Sequence, residues 1–89
     1  MARLWTVEYV GGALKVRRHR SQAEVEAYRD EVNAAAVGSM FPTGCDVTDG
    51  SSVRLIMVDR LERNNVGSRS RLMRLSLKKL VELTDEFCC

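Results

Sequence analysis

The sequence predicts an α+β fold: a four-stranded antiparallel sheet with two helices on one face, in ββαββα order. Three observations lead there. Two alternating runs of apolar and polar residues flank Gly11 and Gly12, a serine at helix-capping spacing opens an amphipathic stretch at Ser21, and a similar succession recurs around Ser76. At 89 residues the chain has room for one core, so residues 1–89 are read as a single domain.

The first strand shows Trp5, Val7 and Tyr9 on one side and Thr6 and Glu8 on the other, the period-2 pattern of a half-buried strand. A two-residue loop at Gly11 and Gly12 sets Val10 opposite Ala13, Tyr9 opposite Leu14, Glu8 opposite Lys15, Val7 opposite Val16 and Thr6 opposite Arg17. Apolar partners then face apolar partners and Glu8 faces Lys15, whereas a slip of one residue would scramble both faces. Ser21, with Glu24 three residues on, has capping-box spacing. Val25, Tyr28, Val32 and Ala35 or Ala36 return at helical spacing behind it, and Gly38 supplies the stop.

Residues 38–52 have the Gly, Ser, Thr and Pro content of a loop. In it either Met40 and Phe41 plug an edge of the core, or Cys45–Val47 adds a short strand. Val53–Leu61 reads as the third strand, because its centre, Leu55–Val58, is apolar on both faces. Asn64, Asn65 and Gly67 suit a hairpin loop, after which Met73 and Leu75 alternate with Arg74 on a fourth strand, in preference to a helix from Ser70 whose spacing Met73, Leu77, Leu80, Thr84 and Phe87 also fit. Ser76 then caps a final helix carrying Leu80, Val81, Leu83 and Phe87. Setting Ser21 on Ser76 brings Val25 onto Leu80, Tyr28 onto Leu83 and Val32 onto Phe87, which suggests a ββα unit used twice.

Fourteen Lys and Arg against twelve Asp and Glu leave a net charge of +2, too little by itself to imply nucleic acid. The charge is distributed in blocks, +4 over residues 1–20, −5 over 21–52 and +5 over 64–81. No apolar run approaches the roughly 20 residues of a membrane span, and the first residues lack the pattern of an export signal. A cytoplasmic protein without membrane contact is expected. Cys45 stands alone and Cys88 and Cys89 are adjacent, a spacing that suits reduced thiols better than disulfides, and better than a zinc site completed by His19. His19, the single histidine, has no acid adjacent in sequence to orient it, and Asp46 and Asp49 lack the spacing of a calcium loop. No catalytic residue, metal ligand or cofactor is therefore predicted.

With both helices on one face, the other face of the four-stranded sheet would carry Leu4, Thr6, Glu8, Lys15, Arg17, His19, Leu55, Met57, Asp59, Leu72 and Arg74. Leu4, Leu55, Met57 and Leu72 would form an apolar patch rimmed by arginines such as Arg74, a surface suited to a partner. The expected function is a small non-enzymatic regulatory or adaptor module that binds another protein, or itself as a homodimer, through this open face. The alternative is a nucleic-acid-binding protein whose phosphate contacts come from Lys15, Arg17, Arg18, Arg20, Arg69, Arg71 and Arg74. It would lack a stacking platform, because Trp5 and Tyr9 point toward the helices.

Overall fold

The structure is a computed structural model that describes residues 3–38, 40 and 43–88. Strands β1 (Trp5–Val10) and β2 (Ala13–Arg18) form a hairpin, helix α1 (Gln22–Ala36) crosses the sheet, and β3 (Thr43–Thr48) returns beside β1. Helices α2 (Gly50–Arg63), α3 (Arg69–Leu72) and α4 (Leu77–Phe87) complete the chain. The sheet has three strands in the order β2-β1-β3, with both pairings antiparallel. The expected four-stranded sheet in ββαββα order is thus corrected: the segment read as the third strand is helical, Met73–Leu75 of the fourth are a turn after α3, and the third strand is Thr43–Thr48, in line with the Cys45–Val47 alternative for the loop.

The β1–β2 register is the predicted one, with Val7 opposite Val16 and Glu8 opposite Lys15. Gly11 occupies the left-handed region at φ 61°, which a residue with a side chain rarely adopts. Ser21 caps α1 as its spacing requires, its Oγ accepting from the Glu24 N–H at 3.2 Å.

Helix α2 replaces the predicted strand for an identifiable reason. The Asp49 carboxylate accepts from the Ser52 N–H at 2.8 Å, a helix N-cap. That hydrogen bond holds the carboxyl below its ordinary pKa. Val53, Met57, Val58 and Leu61 are buried, at helical spacing, while Leu55 is half exposed. An apolar run of four residues fits either period, and here the cap and the burial resolve it as a helix. The expected Asn64–Gly67 hairpin is the turn after α2, where Asn65 takes a positive φ of 58°. Ser76 does cap α4, its Oγ accepting from the Lys79 N–H at 3.1 Å, but the residues before it form α3 and a turn. The twofold ββα likeness is therefore one of spacing only.

Helices lie on both faces of the sheet, where one covered face was expected. On one face α2, α3 and α4 meet Val7, Leu14 and Val16, forming an apolar core with Val53, Met57, Val58, Leu61, Leu72, Leu80 and Cys88. Trp5, Tyr9, Leu77 and Val81 pack at its margin. On the other face α1 covers β1 and β3, and the smaller layer there holds Thr6, Val25 and Cys45, all buried, with His19 at its border. Met40 is 95% exposed and plugs no core edge, and Phe41 lies outside the described residues. No described helix is long and apolar enough to cross a membrane.

Candidate functional site

The residues expected to share one sheet face are dispersed. Met57 and Leu72 are sealed in the core, Leu55 is half exposed on α2, Leu4 is partly buried beside the sheet and Arg74 is exposed between α3 and α4. The reason is geometric: residues two apart share a face on a strand but lie about 200° apart around a helix, so α2 turns Leu55 away from Met57. The open face that would have gathered them does not form. The basic residues are divided as well. Lys15, Arg17, Arg18 and Arg20 are exposed on or beside β2. Arg69 and Arg71 belong to α3, which packs on α2, and Arg69 is engaged by Asp59 at 3.5 Å and Glu62 at 3.6 Å.

Beneath α1 lies a polar cluster that sequence spacing did not reveal. His19 Nε2 is 2.8 Å from the Thr6 hydroxyl, and His19 Nδ1 is 3.4 Å from Glu24. An acid therefore does orient His19. It comes from the first turn of α1, which brings Glu24 back over the ring. Carboxylate, imidazole and hydroxyl in this order resemble the arrangement that activates a nucleophile. Thr6 is only 1% exposed, however, so its hydroxyl is closed off from the surrounding water. The cluster is a way of satisfying a buried histidine.

Tyr28 extends this layer, its hydroxyl donating to Glu8 while the Arg17 guanidinium sits 5.4 Å above its ring. Burial, then the Glu8 hydrogen bond and charge, push the Tyr28 pKa up to about 12, against the opposing pull of Arg17. The fold thus favours the protonated phenol. Its contribution is complete below pH 10, where the unfolded chain also holds the proton, and is lost as pH rises from 10 to 12. Because the ring is partly open to water, the loss should be about 1 kcal/mol. Denaturant unfolding at pH 9 and pH 11.5 should show this loss, and Tyr28→Phe should remove that share of it; an unchanged pH dependence in the variant would refute the assignment. Cys45 lies nearby, its thiol pushed up by burial and by the Glu8 and Asp46 carboxylates, which keeps it protonated and unreactive. Among the described residues no three His, Cys, Asp or Glu side chains gather into a metal-binding group.

The two sheet edges differ. On β3, the Asn33 side chain accepts from the Cys45 N–H at 3.0 Å and donates to the Cys45 carbonyl at 3.3 Å, standing in for a neighbouring strand. On β2, the Leu14 N–H donates outward to the Cys88 carbonyl at 2.9 Å. Backbone groups alternate along a strand, so Val16 and Arg18 also direct theirs away from β1. Among the described residues no backbone hydrogen bond reaches them from that side.

Beside this open stretch runs a groove of about 650 Å³ lined by Trp5, Val16, Arg18, Leu77, Lys78, Val81 and Glu82. A second hollow, lined by Lys15, Val16, Arg17, Arg18 and Asp85, continues it along β2. The floor is apolar and the rim is charged. Trp5 and Val16 come from the hairpin and Leu77 and Val81 from successive turns of α4, so the groove forms where α4 packs against β2. Sequence reading identified Lys15, Arg17 and Arg18, turned Trp5 toward the helices and put Val81 on the last helix, but did not join Trp5, Leu77 and Val81 into one groove, since nothing local says which strand α4 will lie against.

No family model, curated protein or solved structure matches this chain.

Proposed function

We propose that the chain is a small, non-enzymatic, cytoplasmic interaction module that binds an extended segment of another protein along β2. The observation carrying this reading is the open backbone of Val16 and Arg18 beside an apolar groove. Strand addition uses these two components: main-chain hydrogen bonds supply affinity and a side-chain groove supplies selectivity. The bound surface is the β2 edge, in place of the open sheet face expected from sequence.

The test is a selection of peptides from a random display library on the intact protein, followed by titration of the selected peptides against Arg18→Ala and Arg18→Pro. Both variants lose the side chain, and only proline loses the outward N–H; an edge position tolerates that change because no bond to β1 is broken. The proline variant should bind about three- to tenfold more weakly than the alanine variant, the worth of one hydrogen bond. Equal affinities, with both variants folded by circular dichroism, would refute strand addition.

A second reading, nucleic-acid binding, is favoured by the exposed Lys15, Arg17, Arg18 and Arg20, none of which is in an ion pair among the described residues. Salt-dependent retention of nucleic acid that is lost on replacing Lys15 and Arg17 with glutamine would support it over the peptide reading.

A further inference from the structure

Resting on the reading of β2 as a strand-addition edge, we infer that its ligand is a short extended segment with an acidic–apolar–acidic alternation, which lies opposite Arg17, Val16 and Lys15. Directly opposed residues of neighbouring strands project from the same sheet face. A residue opposite Val16 therefore projects over the groove floor of Trp5, Leu77 and Val81. Its two neighbours project from the other face, beside Lys15 and Arg17. Neither of these cations is in an ion pair among the described residues: Glu8, opposite Lys15 on β1, accepts from the Tyr28 hydroxyl, and the Arg17 guanidinium sits over the Tyr28 ring.

Charge complementarity selects the occupant. The two hollows along β2 are lined by Lys15, Arg17, Arg18 and Lys78 against Glu82 and Asp85. Glu82 is already 3.9 Å from Lys79, so an incoming carboxylate meets an excess of positive charge. The same charges disfavour a second copy of the chain. Two β2 strands paired antiparallel about Val16 would set Lys15 of each opposite Arg17 of the other, and like charges directly opposed are destabilising. The segment is also bounded in length. The Cys88 carbonyl occupies the outward N–H of Leu14, which closes that end of the edge and leaves Val16 and Arg18 as the paired positions.

Trp5, the single tryptophan, lines the groove and reports its occupancy. Three capped nine-residue peptides would be titrated at low salt while its emission is followed. One alternates glutamate with isoleucine, one alternates lysine with isoleucine, and one has the first peptide's composition in two blocks. The alternating glutamate peptide is expected to shift Trp5 emission and to bind at least tenfold more tightly than either of the others. Lys15→Gln with Arg17→Gln should weaken it about five- to tenfold, as two cross-strand charge pairs require, and added salt should weaken binding to the wild type. Extended peptides binding without regard to charge or alternation would overturn this inference and leave the strand-addition reading standing. Absence of any Trp5 response, a dimer formed through β2, or a preference for nucleic acid would overturn both.

Discussion

Met57→Ala is expected to lower the free energy of unfolding by about 2–5 kcal/mol, while Leu55→Ala changes it by less than about 1 kcal/mol. Met57 is fully buried between the sheet and α4, in the cluster with Val7, Leu14 and Leu80. Truncating it leaves a cavity that a close-packed interior closes only in part. Leu55 is 50% exposed and its truncation removes little contact. The contrast is diagnostic of α2, because on a strand the two residues would share one face and respond alike. For a domain whose total stability is about 5–15 kcal/mol, the larger loss would be visible as a large fall in the denaturant midpoint. Equal effects at both positions would contradict the helix.

Asn33→Ala is expected to cost about 1–2 kcal/mol, from two hydrogen bonds to the Cys45 backbone. Its second effect is on association. Asn33 satisfies the outward N–H and carbonyl of Cys45, and without it the β3 edge presents unpaired groups to other chains. Light scattering over a range of concentrations should show self-association in Asn33→Ala and less in Asn33→Asp, which keeps an oxygen to accept from the Cys45 N–H and adds a charge that repels other copies. A variant as monodisperse and stable as the wild type would remove Asn33 from this role.

The elements legible in the sequence were those decided by near neighbours. The register of β1 on β2 followed from the opposition of Glu8 to Lys15 and Val7 to Val16, and the starts of α1 and α4 followed from Ser21 and Ser76. Failures arose where the deciding partner is distant. Leu55–Val58 is compatible with both periods, and it is burial against Leu80 and Val7 that makes it helical. The Thr43–Thr48 strand contains Gly44 and alternates weakly, so its pairing with β1 outweighs a low intrinsic preference. Asp49, which lacks the spacing of a calcium-loop ligand, is the cap that starts α2, and recognising it as a helix cap needs the helix behind it. The candidate site was legible only as its charges, because its floor is assembled from both ends of the chain.

The hydrogen bond from Leu14 to the Cys88 carbonyl joins the opening hairpin to the closing helix. A hairpin can close within about 1–10 μs, yet the apolar side of this one finds its cover only in α2, α3 and α4, which follow it in the sequence. Val7, Leu14 and Val16 therefore stay without their full cover until α4 has docked on the hairpin that formed before it.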